Sequence, residues 1–149
     1  SQCVALGADG GSIRHEGSFL TKAQEWAGAG GVDMILDPVG AQYLSDNLTV
    51  LGLGGRLVLI GLMSGIQSEI NLAMLMMKRT RVIGSTLRAR PIAEKTAVMQ
   101  GLFKDVWPKI ATGDIRPIID AQFPIQEMQA AHTLMAGNGT VGKVVLSIG

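Results

Sequence analysis

Cysteine is all but missing from this sequence: Cys3 is the single one among 149 residues. A lone thiol excludes an intrachain disulfide and a cysteine-built structural zinc site. Charge of one sign is missing too, with 13 basic against 12 acidic residues and a net charge of +1. Aromatics make up only 4%, and nowhere do they interleave with a basic run. This balance gives no ground for nucleic acid or an anionic membrane as partner. Apolar stretches are broken by Gly, Arg or Asn well before membrane-spanning length. The opening Ser1-Gln2 has neither the basic region nor the apolar core of a signal peptide, so a cytosolic location is the default expectation.

What is present is apolar and rich in glycine: 47% hydrophobic residues, 17% charged and 20 glycines, the mix of a globular α/β chain. Two stretches organise it. Gly31-Val32-Asp33-Met34-Ile35-Leu36-Asp37-Pro38-Val39-Gly40 and Gly55-Arg56-Leu57-Val58-Leu59-Ile60-Gly61 are both near-continuous apolar runs. Neither alternates, which predicts parallel strands buried on both faces. Between them Ala41–Leu53 has the length for a crossover helix, stopped by Gly52-Leu53-Gly54-Gly55. In such sheets, sites lie at the carboxyl ends of the strands. Those ends are Asp37-Pro38-Val39-Gly40 and Gly61-Leu62-Met63-Ser64-Gly65.

The remaining pattern predicts a helix tail near the start and a short strand at Ser12-Ile13-Arg14. A helix over Phe19–Ala27 is capped by Ser18, and a Met-rich helix over Ile70–Lys78 ends on Lys78-Arg79, which suits the negative end of its dipole. A third strand covers Arg81–Leu87. A long helix runs from Pro91 to about Thr112, divided or kinked at Trp107-Pro108. An extended run Ile115–Phe123, a helix Pro124–Met135 and a strand Gly142–Ile148 complete the chain, the two strands forming a hairpin-like pair. The alternation changes character after Arg90, which predicts a boundary there.

Chemistry-bearing motifs are sparse. Gly28-Ala29-Gly30-Gly31 follows a helix and opens a strand, the reverse of a dinucleotide loop, and reads as a plain turn. Asp37 before Pro38 favours capping of its own turn over acid-base work. His132 falls at helical spacing with Met128 and Met135, as a helix-face or core residue does. Neither it nor His15 has a partner at metal-ligand spacing, so no metal is expected. Met74, Met76 and Met77 read as packing. Arg88 and Arg90, just after a strand, suit either an anion-binding rim or solvated charge.

Several segments together resemble the medium-chain dehydrogenase/reductase superfamily, in particular its zinc-independent NADPH:quinone oxidoreductase branch. They are Leu6-Gly7-Ala8-Asp9, the two organising runs, Gly61-Leu62-Met63-Ser64-Gly65, Lys78-Arg79, Gly84-Ser85-Thr86-Leu87-Arg88-Ala89-Arg90, Ala131-His132 and Gly142-Lys143-Val144-Val145-Leu146. The resemblance implies an incomplete Rossmann-type parallel sheet, residues 1–90, followed by a return segment of the GroES-like catalytic domain, residues 91–149. Members are roughly twice this length. The chain is therefore expected to be a C-terminal fragment, with the catalytic domain, the Gly-rich loop and the first two cofactor-domain strands upstream. In the usual order 3-2-1-4-5-6 those strands would lie between Ser12-Ile13 and Val32–Leu36, leaving that apolar edge bare.

By the same resemblance, Gly61, Leu62, Met63, Ser64 and Gly65 line the nicotinamide end of NADPH, their backbone groups holding its carboxamide. Thr86, Leu87 and Arg88 approach from the next strand end, and Asn138 or Thr140 from the last turn. Arg14 stands where many members carry Tyr, and suits a 2′-phosphate. No residue reads as a catalytic acid or base. The implied reaction is hydride transfer to a quinone or another activated α,β-unsaturated carbonyl, with the isolated chain inactive. A homodimer through the Arg81–Leu87 edge is implied as well. The alternatives are an enoyl or alkenal reductase of the same superfamily and a non-catalytic dimerisation module.

Overall fold

The computed structural model describes residues 2–13, 16–137 and 139–149. Arg14, His15 and Asn138, with the readings attached to them, lie outside that set. Contacts gather into two compact units, Ser1–Ala89 and Arg90–Gly149.

The first unit begins with the short helix α1 (Gln2–Ala5) and then α2 (Phe19–Ala27). Ser18 caps α2: its Oγ accepts from the Leu20 N–H at 3.1 Å and donates to Asp46 Oδ2 at 3.0 Å. Gly28–Gly30 form a single 3-10 turn into β1 (Val32–Asp37), as expected of a plain connector. After α3 (Leu44–Val50) come β2 (Leu51–Leu59), α4 (Leu72–Lys78) and β3 (Arg81–Gly84). All three strands pair in parallel in the order β1-β2-β3.

Leu48, Leu51 and Leu57 form the centre of the core, at 2%, 1% and 0% exposure, with Ile35, Leu44, Leu59, Met74 and Leu75 packed on them. The register puts Ile35, Leu57 and Val82 side by side, and α3 and α4 both pack on β2. The alternate row, Leu36, Val58 and Ile83, lies on the opposite face. There Leu36 is 62% exposed and its neighbour Met34 57%. The expectation that β1 is buried on both faces therefore fails, because the sheet is covered by helices on one side of these residues.

Other boundaries also differ from the sequence pattern. The crossover helix stops at Val50, and the glycine run that should end it lies inside β2. From one paired position to the next, β1 advances from Val32 to Met34 while β2 advances from Leu51 to Arg56, a bulge that absorbs Gly52–Gly55. Close backbone approach requires it: Gly31 has φ +70°, and a Cβ there would lie 2.6 Å from the Gly52 nitrogen. Ser12 and Ile13 form no strand, since the outer edge of β1 carries no ladder partner among the described residues. The edge strand β3 ends at Gly84, short of Leu87, because its partner β2 leaves the sheet after Leu59.

Lys78 lies in the last turn of its own helix, as expected, and has a second role beyond it. Its ammonium donates to the carbonyls of Leu48 (3.1 Å), Thr49 (2.6 Å) and Leu51 (2.8 Å). It thus satisfies the open carboxyl end of α3 and the turn into β2. Arg79 ends α4 in the left-handed conformation, φ 51°.

The second unit holds α5 (Ile92–Asp105), α6 (Trp107–Thr112), β4 (Ile119–Pro124), α7 (Met128–Ala136) and β5 (Lys143–Ser147). The division expected at Trp107-Pro108 falls at Val106, with Pro108 in the first turn of α6, where its missing N–H costs nothing. Strands β4 and β5 run parallel, and α7 packs on both. This is a small βαβ unit and not a hairpin, because a helix lies between the strands and returns the chain to the same end. His132 is exposed on α7.

The Lys78 contacts generate a stability prediction. Lys78→Met keeps the stem and deletes three charge-assisted bonds, so urea unfolding should show a loss of about 2 kcal/mol.

Candidate functional site at the carboxyl ends of the parallel strands

Parallel pairing brings the ends of β1, β2 and β3 to one edge of the first unit. The ladder continues past the strands: the Ile60 N–H donates to the Asp37 carbonyl at 2.9 Å and the Ser85 N–H to the Leu59 carbonyl at 2.9 Å. Beyond these bonds the chain turns into the Pro38–Gly40, Gly61–Gly65 and Thr86–Arg88 segments.

Asp37 governs the first of them. It is 3% exposed, and its carboxylate accepts from the N–H groups of Val39 (2.6 Å) and Gly40 (3.2 Å). Its second oxygen accepts from the side-chain amide of Asn47, also 3% exposed, at 2.9 Å. Capping, the reading favoured by the sequence, is what Asp37 does. A carboxylate so fully engaged is a structural acceptor, since a buried charge is tolerated only when its lone pairs are met. Asn47 escaped the sequence reading. Its signal was an Asn in the middle of a helix, beside Leu48, unfavourable there unless its amide finds a partner.

The second loop is laid directly on the first. N–H groups of Met63 and Ser64 donate to the carbonyls of Pro38 (3.3 Å) and Val39 (2.8 Å), and Ala41 donates back to Gly65 at 3.4 Å. Gly61 is required by this contact, as a Cβ at that position would lie 2.7 Å from the Pro38 carbonyl oxygen. The Met63 and Ser64 N–H groups are turned inward onto the β1 turn, while the Leu62 and Met63 side chains stand 50% and 80% exposed. Beside Asp37 a cavity of about 390 Å³ opens between Phe19, Tyr43, Leu36 and Pro38. The Phe19 and Tyr43 rings meet at 5.2 Å between centroids.

Of the residues singled out in the sequence, Gly61, Leu62, Met63, Ser64 and Gly65 come together with the β1 turn. Thr86, Leu87 and Arg88 follow β3 at the same edge, all exposed. Thr140 belongs to the second unit. Arg90 pairs with Glu94 at 3.5 Å on an exposed helix start, a solvated ion pair of little energetic weight.

The sequence from residue 6 to 146 matches the family model described as zinc-binding dehydrogenase. The chain belongs to that family. Human quinone oxidoreductase is 28% identical over 135 residues, covering 88% of this chain and 38% of its own length. The rat quinone oxidoreductase is 30% identical over 132 residues, again 88% of this chain and 38% of the relative. A 2-haloacrylate reductase from Burkholderia is 27% identical, covering 86% and 38%. The chain thus spans about two fifths of the length of these curated relatives. Among solved structures, the quinone oxidoreductase of Thermus thermophilus, determined also in complex with NADPH, superposes with a TM-score of 0.79 at 29% identity, covering 97% of this chain and 44% of that one. An NAD-dependent alcohol dehydrogenase superposes at 0.78 with 24% identity, covering 99% and 40%, a likeness of fold. The superfamily resemblance and the parallel α/β class are both borne out.

The zinc of the family description is another matter. Among the described residues no three His, Cys, Asp or Glu side chains gather where they could hold a metal ion. Nor is any described helix long and apolar enough to cross a membrane.

Gly61→Ala tests the loop-on-loop contact. The added methyl should push the Pro38 turn away at a cost of about 1–3 kcal/mol in chemical denaturation. Amide resonances of Val39 and Gly40 should move more than those of α4.

Proposed function

We propose that this chain frames the nicotinamide end of NADPH in an oxidoreductase that passes hydride to a quinone or a similarly activated α,β-unsaturated carbonyl. The observation that carries the reading is the pair of interlocked loops at the carboxyl ends of β1 and β2, in a chain of this family. The likeness to the Thermus quinone oxidoreductase, solved with NADPH, supports the choice of cofactor. When bound, the nicotinamide supplies the hydride, and the protein supplies position and surroundings. Backbone groups of Gly61–Gly65 hold the carboxamide, and Leu62 and Met63 offer the apolar surface that excludes water. Thr86, Leu87 and Arg88 approach from the end of β3, and Thr140 is read as a further cofactor contact. No side chain of this chain is assigned as an acid or base, and the reaction is read as zinc-independent. Residues 1–90 are assigned to the dinucleotide-binding domain and 91–149 to the return segment of the catalytic domain.

No motif of this chain provides the Gly-rich loop that receives a pyrophosphate. The chain by itself is therefore read as inactive and weak in cofactor binding, and the intact protein as cytosolic. The 2-haloacrylate reductase relative supports a second reading, reduction of an activated carbon-carbon double bond, which a panel of quinones and enones separates.

Calorimetric titration with NADPH, of this chain beside a longer version carrying a Gly-rich loop, checks the placement. The longer version should bind at least about a hundredfold more tightly. Tight binding by the short chain would overturn it.

The free edge of β3 is proposed as the homodimer edge, since it has no partner strand among the described residues and the strand's Val82 and Ile83, on opposite faces, are each 39% exposed. Ile83→Lys, a charge of the kind that blocks edge pairing, should convert the dimer to monomer in sedimentation. An unchanged sedimentation coefficient would rule that edge out.

A further inference from the structure

Ser64 sits where the two loops meet, and its polar groups face the protein. The hydroxyl donates to the Val39 carbonyl at 2.8 Å and accepts from the Gln42 N–H at 2.9 Å. The Ser64 backbone N–H donates to the same Val39 carbonyl, also at 2.8 Å. A hydroxyl has one proton to give, and here the other loop takes it. Ser64 therefore has no O–H left for a ligand in this arrangement.

The segment it grips is itself braced. Val39 donates its N–H to Asp37 at 2.6 Å, and Asp37 is held from behind by Asn47 of α3. Asp37 also accepts from the Gly40 N–H, so a continuous set of hydrogen bonds runs from the buried face of α3, through Asp37 and the Val39–Gly40 peptide, to Ser64. Its buried end cannot shift without leaving a charge unmet, so only the Ser64 end is free to adjust. Residues that lock a site's geometry in advance lower the ordering cost of binding.

We propose that Ser64 is a positioning residue: its hydroxyl fixes the β2 loop against the braced β1 turn, and so sets the shape that the loop's backbone offers to the nicotinamide. This inference rests on the function proposed above, and it reassigns Ser64 from ligand contact to loop geometry.

The test compares Ser64→Ala and Ser64→Thr in the intact protein. The position is exposed, so neither change disturbs a core. Three quantities are read: the NADPH dissociation constant, the split between KM and kcat, and exchange of the Gln42 amide in the cofactor-free protein. Ser64→Ala should raise the dissociation constant and the KM for NADPH about tenfold, leave kcat within about twofold and speed Gln42 exchange. Ser64→Thr, which keeps a hydroxyl, should return all three toward wild type. An unchanged dissociation constant in Ser64→Ala, with Gln42 exchange accelerated, would overturn the positioning role alone. Failure of Ser64→Thr to rescue would overturn its assignment to the hydroxyl. A wild-type protein that binds no NADPH would overturn the functional reading and this inference with it.

Discussion

Parallel pairing of β1, β2 and β3 is the constraint on which the rest of the first unit depends. Parallel strands cannot be joined by tight turns, so each connection must climb back over the sheet as a helix. That requirement produces α3 and α4, and they bury the Leu48, Leu51 and Leu57 core. It also sends all three strand ends to the same edge, where two loops meet and hydrogen-bond to each other. Site and core are two consequences of one pairing rule.

At each end of the unit, a charged side chain closes polar backbone that the fold would otherwise leave open. At the carboxyl edge, Asp37 gathers the N–H groups of Val39 and Gly40. At the opposite end, Lys78 gathers three carbonyls around the end of α3. Among the described residues, neither charge is in an ion pair. Each meets oriented peptide dipoles, which hold it in place. Asn47 and Lys78 both belong to helices, so the loops inherit the rigidity of the layer beneath them.

Leu36 and Met34 show where this economy ends. Both lie on a row of the sheet that the described structure leaves open, and the edge of β1 has no ladder partner. The curated relatives are more than twice as long as the matched region. Parallel sheets are ordinarily covered on both faces, so a bare row and a bare edge are the features expected where further protein packs.

The local pattern determined a good deal. The near-continuous apolar runs marked β1 and β2, Ser18 marked the start of α2, and Pro108 marked the division between α5 and α6. Each of these is decided by residues close in the chain: steric limits at proline, an oxygen placed to meet a free N–H, apolar content over a strand's length. Asp37 was legible as a cap for the same reason. What local pattern could not determine was which partner each group would find across the fold. Gly52–Gly55 read as a helix stop and became a strand bulge, because Gly31 packs against that backbone from another segment. Lys78 read as the end of its own helix, which it is, and it also became the cap of a different one. Ile115–Phe123 and Gly142–Ile148 read as a hairpin-like pair and became the parallel strands β4 and β5, because α7 lies between them. Asn47 and the hydroxyl of Ser64 acquired roles only when α3 and the β2 loop were brought against Asp37 and Val39. Short-range sterics and capping are written in neighbouring residues; strand register, the face left bare and the hydrogen bonds between loops exist only once distant segments meet.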